Sequence, residues 1–287
     1  MYLSITEALI QGEKLLESAV VSDPRGEAEI LLEKATNQDR VSLYTNSSKL
    51  VSQAESDLYS HDLERRCAGE PIQYITGKAP FYGREFHVGD GVFIPRLDSE
   101  VLIERLLSAH KNKRNQDEIE ILDLCCGCGV LGLTAALELT GSRITLVDNS
   151  SVALECAARN ANEQGIKSRV DIVCHDALKE FPSTWQHKFD YILANPPYIS
   201  VSKMDNLDFE VLCEPRQALT DGGNGKLFYQ AWSCRLKALL KPNAVFFCEI
   251  DCYISDYIYT LMSEFFDDVI LSDDVSGAIR VCEAKAV

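Results

Sequence analysis

The spacing of apolar positions divides the chain into two regimes. Up to about residue 70 the period is helical. Ser4-x-x-Glu7 has the form of a capping box and opens a helix reaching about Val20. Asp23-Pro24 sets an N-cap before a proline at the first helical position, and Ala28, Ile30, Leu31, Leu32 and Ala35 follow as an amphipathic helix. Val41 to Tyr44 predicts a short helical turn. A third long helix over Ser52 to Cys67 carries Leu58, Tyr59 and Leu63, and Gly69 and Pro71 end it. From Glu70 to Val88, β-branched and aromatic residues around glycines predict a hairpin between two domains. Asp98 or Ser99 is positioned to cap a helix over Val101 to Ala109, and the polar run His110 to Glu118 reads as a linker.

From Glu120 the pattern changes to strand–helix alternation, the signature of a parallel sheet. Strands are expected at Ile121–Cys125, Ile144–Val147, Val170–Val173, Asp190–Ala194 and Ala244–Ile250. Helices are expected at Val130–Leu139, Ser151–Asn162, Lys226–Leu240 and Tyr253–Phe266. Val269–Leu271 and Ile279–Cys282 close the chain as two strands around a turn at Ser276-Gly277. The expected architecture is α/β: a seven-stranded sheet with a terminal hairpin, preceded by a small helical bundle. The domains fall at 1–70 (helical), 71–92 (hairpin linker) and 93–287 (α/β).

Composition narrows the setting. The 287 residues suffice for one large and one small domain, and 46% hydrophobic with 25% charged residues is ordinary for a soluble globular protein. No apolar run reaches the roughly 18–20 residues of a membrane span. Met1-Tyr2-Leu3-Ser4 lacks a basic n-region and an apolar stretch, so the expected location is cytoplasmic, with no membrane partner. The 11 cysteines are an odd number scattered through apparent core elements, as in a reducing compartment. Cys125-Cys126-x-Cys128 has no second Cys or His pair at zinc spacing, so no metal is expected. A net charge of -16 disfavours direct binding to a nucleic-acid backbone.

The chemistry centres on Asn195-Pro196-Pro197-Tyr198, directly after the apolar strand Tyr191–Ala194. It therefore lies at the carboxyl end of a strand, where open α/β sheets place their ligands. Asn195 offers an amide oxygen, and Pro196 a carbonyl without an N–H. Together they present two acceptors to one NH2 group, with an aromatic wall from Tyr198. Such a site suits a planar nitrogen whose lone pair must be aimed at an electrophile.

Asp123-Leu124-Cys125-Cys126-Gly127-Cys128-Gly129 follows the first strand of the sheet and opens a helix. Gly132 completes a Gly-x-Gly-x-x-Gly string, so the string alone leaves a dinucleotide open. Asp123, two residues before the loop, would repel a pyrophosphate and attract the cationic aminoacyl end of S-adenosylmethionine. Asp148 ends the second strand and is placed to accept from both ribose hydroxyls. Asp176-Ala177, after the third, would lie beside the adenine. Four neighbouring strand ends thus converge on one cofactor crevice whose methyl faces the tetrapeptide.

In these residues the chain resembles the protein-(glutamine-N5) methyltransferases that act on peptide chain release factors, the PrmC/HemK family. The resemblance covers nearly the whole chain. It rests on Glu70-Pro71-Ile72-Gln73-Tyr74-Ile75-Thr76-Gly77, Phe93-Ile94-Pro95-Arg96-x-Asp98-Ser99-Glu100, Ile121-Leu122-Asp123-Leu124, Asn195-Pro196-Pro197-Tyr198-Ile199 and Glu214-Pro215-Arg216-x-Ala218-Leu219. It implies a seven-stranded Rossmann-like class I methyltransferase fold and methylation of the glutamine in the Gly-Gly-Gln motif of release factors. It also implies that the N-terminal domain docks the release factor. By position, Cys125 to Gly129 would hold the aminoacyl part of the cofactor, Asp148 the ribose, Ala177 the adenine edge, and Asn195 to Tyr198 the substrate glutamine. Cysteines replace the small residues usual in the family's glycine loop. Leu97 stands where proline is usual, Asp221-Gly222-Gly223-Asn224-Gly225 replaces a Gly-Gly-Glu-Asp-Gly run, and Pro242-Asn243-Ala244 replaces a Pro-Gly-Gly turn. Ala177 stands where a larger residue often packs on adenine, so cofactor affinity is where the departures bear hardest.

Two other functions fit parts of the pattern. An adenine-N6 methyltransferase of DNA or RNA would present a similar amino group to Asn195 and Tyr198, against the charge of -16. A non-catalytic protein that binds S-adenosylmethionine and docks a partner would have no need of an intact tetrapeptide.

Overall fold

A computed structural model describes residues 3–111 and 118–286. The chain forms two compact units. One runs to Lys78 and takes in Asp208–Cys213; the other comprises Ala79–Leu207 and the chain from Glu214 onward.

The first unit is helical, and its helices begin where the capping residues stand. α1 (Ile5–Ser18) carries the full capping box of Ser4 and Glu7. α2 (Pro24–Thr36) has Asp23 as N-cap, accepting from the Gly26 N–H at 3.0 Å. α3 (Arg40–Thr45) is capped by Asp39, and α4 (Gln53–Cys67) by a second capping box of Ser52 and Glu55. Leu9, Leu16, Leu31, Leu32, Leu43 and Leu63 form the core. The hairpin expected from Glu70 is delayed by α5 (Ile72–Thr76), whose Ile72 and Ile75 pack on that core. The burial of these two side chains outweighs their β-branched preference, and the helical unit extends past residue 70. The segment 208–213 returns to it through an ion pair between Arg66 and Glu210 at 2.5 Å, with the Phe209 ring against Gly69.

In the second unit a hairpin of β1 (Lys78–Phe81) and β2 (Arg84–His87) precedes α6 (Glu100–Lys111). Asp98 and Ser99 do not act as the expected caps of α6. The Ser99 hydroxyl is donated to Glu249, and Asp98 pairs with Arg280 at 3.4 Å. Most of the expected linker, 112–117, lies outside the described residues.

The seven-stranded sheet contains β3 (Ile119–Leu124), β4 (Ser142–Asp148), β5 (Val170–Cys174), β6 (Phe189–Ala194), β7 (Leu240–Glu249), β8 (Asp268–Asp273) and β9 (Ile279–Lys285). Their order is β5-β4-β3-β6-β7-β9-β8. All pairs are parallel except β7 with β9 and β9 with β8, the terminal hairpin expected from its turn residues. β6 is buried along its whole length, as a central parallel strand covered on both faces must be. α7 (Val130–Glu138) and α8 (Ser151–Glu163) connect the strands on either side of β4. The helix expected over 226–240 is shorter. It is α-helical at Leu227–Trp232 and a 3-10 turn at Leu236–Ala238. No described helix is long and apolar enough to cross a membrane.

The strand order reverses between β3 and β6, which stay paired to their last residues, so the connections leaving their C-terminal ends run in opposite directions at the switch point. An apolar cluster of this unit includes Trp232, Tyr229, Phe189 and Phe246, all fully buried. Apart from Asp123, which lies within β3, the residues named from sequence as cofactor and substrate contacts stand at or just beyond the C-terminal ends of β3, β4, β5 and β6.

Candidate active site

One cavity opens at the C-terminal ends of β3, β4, β5 and β6. It is lined by Cys125, Cys126, Gly127 and Cys128, by Asp148, by Asp176 and Ala177, and by Asn195 and Pro197. The four expected strand ends are therefore brought together, although they are spread over about a quarter of the chain.

The loop after β3 turns sharply. Cys125 has φ 57°, Gly127 φ 54° and Gly129 φ 81°, so three of its residues adopt the left-handed region. At Gly127 nothing lies within 4 Å of where a side chain would begin, and the residue faces the cavity. Its N–H donates to Asp148 Oδ2 at 2.9 Å, which locks the loop to β4. Gly129 and Gly132 do other work. A Cβ at Gly129 would come within 3.1 Å of Leu133 and Leu146, and one at Gly132 within 2.6 Å of Leu146. They let α7 pack closely on the sheet, and neither lines the cavity.

Asp123 also departs from expectation. It is fully buried and not among the cavity-lining residues. Its Oδ2 accepts from the Gly132 N–H at 2.8 Å, while Oδ1 has no partner. Burial pushes its carboxyl up to about 7, against the Gly132 hydrogen bond that lowers it. Asp123 braces the first turn of α7 from below the loop. The strand register, which turns its side chain into the helix–sheet interface, decides this. The thiols of Cys125 and Cys126 are likewise pushed well up by burial, which keeps them protonated and weakly nucleophilic. Among the described residues no group of three or more His, Cys, Asp or Glu side chains is placed to hold a metal ion.

Asp148 accepts from the Ser150 N–H at 2.9 Å as well as from Gly127, so its carboxylate is held at the cavity wall. Asp176 Oδ1 accepts from the Leu178 N–H at 3.0 Å. Ala177 is fixed by a hydrogen bond from Trp232 Nε1 to its carbonyl at 3.0 Å. Phe228 packs edge-on to Trp232, with ring centroids 5.3 Å apart, and lines the same cavity. An aromatic face absent at position 177 is thus present nearby on a different element. Nothing in the local sequence around Phe228 signalled this.

The tetrapeptide leaves β6 with Asn195 and Pro197 on the cavity wall. Asn195 Nδ2 donates to Glu249 Oε2 at 3.0 Å, and Tyr198 donates its hydroxyl to Glu249 Oε1 at 2.7 Å. Among the described residues, no hydrogen bond reaches Asn195 Oδ1 or the Pro196 carbonyl. Pro196 and Tyr198 are not themselves among the lining residues. Glu249 ends β7 and is buried; neither it nor Ser99, which also donates to it, was marked out by sequence as part of the site.

Two further straps hold the rim. Glu214 Oε2 accepts from the Ile94 N–H at 2.9 Å, and its Oε1 pairs with Arg96. Arg96 also lies over the Phe93 ring at 5.0 Å. On the other side, Asp221 accepts from the N–H groups of Gly223, Gly225 and Leu227, building the loop that backs the tetrapeptide. Gly225 presses on Tyr198 so closely that a Cβ there would come within 2.0 Å of the Tyr198 carbonyl oxygen.

Comparison with known proteins matches this architecture at two levels. The PrmC N-terminal domain family matches residues 7–77, and the methyltransferase small domain family matches residues 85–234. A release factor glutamine methyltransferase of Clostridium botulinum is 30% identical over 98% of this chain and 99% of its own. One from Chlorobaculum tepidum is 32% identical over 96% of this chain and 95% of its own. Among solved structures, the T. thermophilus 16S rRNA N2 methyltransferase in complex with AdoMet and guanosine is similar with a TM-score of 0.50. It is 21% identical and covers 73% of this chain and 50% of its own, a likeness of fold. Full-length similarity, the helical N-terminal unit and the Asn-Pro-Pro-Tyr turn at the switch point agree, and the chain belongs to the release factor glutamine methyltransferase family.

Proposed function

We infer that this protein transfers a methyl group from S-adenosylmethionine to the side-chain amide nitrogen of the glutamine in the Gly-Gly-Gln motif of peptide chain release factors. The observation that carries the reading is Asn195 on the cavity wall with its Oδ1 free of described donors, next in the chain to the Pro196 carbonyl, which likewise accepts from no described residue.

The residues present suit the methyl donor. Gly127 leaves open space where any side chain would intrude, and Asp148 offers acceptor lone pairs to a ribose. Asp176 and Ala177, with Phe228 beside them, suit a purine edge and face. When bound, the donor supplies an electrophilic sulfonium methyl. The task of the chain is to present the acceptor nitrogen. An amide nitrogen is a poor nucleophile because its lone pair is delocalised into the carbonyl. Asn195 Oδ1 and the Pro196 carbonyl each accept one of its N–H bonds, which fixes the plane of the amide and favours positive charge as it grows on nitrogen. Holding the nitrogen at about 3–3.5 Å along the line of attack supplies much of the remaining acceleration. No strong base is needed, because the proton can leave after the methyl arrives. Tyr198, anchored through its hydroxyl, backs this turn with its ring.

Docking of the release factor is assigned to the helical N-terminal unit, which matches the PrmC N-terminal domain family over residues 7–77 and contributes none of its described residues to the cavity. A flipped adenine also presents a planar NH2, but the net charge of -16 opposes a polyanionic substrate. The deciding experiment is mass spectrometry of a release factor after incubation with the protein and S-adenosylmethionine. One added methyl on the Gly-Gly-Gln glutamine supports the function, and none on the protein, with methyl incorporated into DNA or RNA instead, overturns it.

A further inference from the structure

The Asn195 side chain has two ends of opposite character, and only one of them serves the proposed function. Its oxygen must face the substrate; were the amide turned over, an NH2 group would meet the substrate NH2 and two donors would oppose each other. Nothing in the backbone decides between these two states, because the ends of an amide are nearly the same size. The decision comes from what lies behind it.

Behind it is Glu249, buried at the end of β7. Asn195 Nδ2 is 3.0 Å from Glu249 Oε2, with Ser99 Oγ at 3.4 Å. The Ser99 hydroxyl itself donates to Oε2, and the Tyr198 hydroxyl donates to Oε1 at 2.7 Å. Three donors therefore converge on one carboxylate. An ionised carboxylate only accepts, so each of the three has its direction set. Asn195 must point its nitrogen inward, and its oxygen is left toward the cavity, where no described residue donates to it.

We propose that Glu249 is the positioning residue of the active site: its buried carboxylate fixes the Asn195 amide with Oδ1 outward and holds Tyr198 in register, so that the site accepts an NH2 group and rejects an acceptor. The inference rests on the methyl-transfer reading above. It adds a requirement that the tetrapeptide alone does not contain, because the turn works only with a full acceptor behind it. Burial pushes the Glu249 carboxyl up, while Ser99, Tyr198 and the nearby charge of Arg280 pull it back, with Asp98 opposing them. With Glu249 ionised, Asn195, Ser99 and Tyr198 can all donate to it at once. Tyr229 completes the support by donating its hydroxyl to the Glu249 backbone carbonyl at 2.7 Å, which holds the strand end in place.

The test is Glu249→Gln, which keeps the volume but replaces one acceptor oxygen with an NH2 group. It cannot accept from Asn195, Ser99 and Tyr198 together, and Asn195 loses its fixed orientation. With a release factor fragment carrying the Gly-Gly-Gln loop, kcat should fall by roughly tenfold or more, the fall in kcat exceeding any rise in KM. Binding of S-adenosylmethionine by calorimetry should stay within about twofold, since Glu249 is not among the residues that line the cavity. Asn195→Ala is measured beside it. If Asn195→Ala loses turnover and Glu249→Gln keeps that of wild type, the positioning role is overturned and the methyl-transfer reading survives. If Asn195→Ala also keeps full turnover, the reading itself fails. Should Glu249→Gln lose donor binding as well, the wild-type protein decides. Two distinct, slowly exchanging side-chain amide protons on Asn195 by NMR support the proposal, and exchange at the rate of a free amide overturns it.

Discussion

Arg96 and Glu214 stand 118 residues apart in sequence and meet as an ion pair at the rim of the cavity. Glu214 is almost fully buried, whereas the Arg96 side chain is 34% exposed. The same carboxylate accepts from the Ile94 N–H, so one acidic side chain fixes both the backbone and the arginine of the Phe93–Arg96 segment. Burial pushes the Glu214 carboxyl up, and Arg96 and the Ile94 N–H draw it back. Glu214→Gln should therefore loosen this segment. With the partly exposed Arg96 able to find water, the expected cost is about 1–2 kcal/mol of stability. A denaturant melt with an unchanged midpoint would show that the segment is held by packing alone.

Gly225 tests the close approach behind the tetrapeptide. A methyl there would overlap the Tyr198 carbonyl oxygen, and the backbone at φ 78° is unfavourable for any side chain. Gly225→Ala should cost about 1–3 kcal/mol and displace the turn. Because alignment of the acceptor nitrogen carries much of the rate, turnover should fall by about tenfold or more. Chemical denaturation together with steady-state kinetics measures both effects. Wild-type kinetics in this variant would mean that the turn is positioned independently of the loop.

Asp123 makes stability depend on pH in a defined sense. Burial holds its carboxyl up at about 7 in the folded protein, well above the ordinary aspartate range. The folded state therefore binds a proton that the unfolded state has released. Its contribution is fully present below about pH 4 and is lost as pH rises through about 7. Asp123→Asn mimics the protonated form and can keep the acceptor for the Gly132 N–H. Relative to wild type it should be neutral near pH 4 and increasingly stabilising toward pH 8, read from thermal midpoints without methyl donor. A difference that does not vary with pH would show that Asp123 does not titrate in this window.

The Trp232 hydrogen bond to the Ala177 carbonyl predicts where cofactor affinity can be altered without touching the cofactor. Trp232→Phe removes the donor and part of the surface against which Phe228 rests. If Ala177 and Phe228 hold the purine as proposed, loss of about 1 kcal/mol of support there corresponds to roughly a fivefold higher dissociation constant for S-adenosylmethionine. Phe228→Ala should weaken binding by at least as much. Calorimetric titration of both variants checks this, and unchanged affinity in Phe228→Ala would place the purine elsewhere.

Much of this could be read along the chain because its signals are local. The capping box at Ser4, the Asp23-Pro24 start, the helix from Ser52 and the alternation after Glu120 depend on side chains within a few residues of each other, and they appear where they were expected. The convergence of the residues around 125–129, 148, 176–177 and 195–197 was also legible, because a parallel α/β sheet puts all its strand ends on one side. Asp123 was misread because its position next to the loop was clear but the direction of its side chain was not. That direction depends on strand register and on where α7 packs. The helix at Ile72–Thr76 was missed for a related reason: its β-branched residues favour a strand until a core is available to bury them.

Sequence alone determined the order of elements, the strand ends that line the cavity, and the position of the Asn-Pro-Pro-Tyr turn, since each is encoded within a short stretch of chain. Tertiary structure decided which way those groups face. Glu249, Ser99, Glu214 and Phe228 reach the site from segments remote in sequence, and a buried carboxylate orients an amide only once the fold has brought the two together away from water.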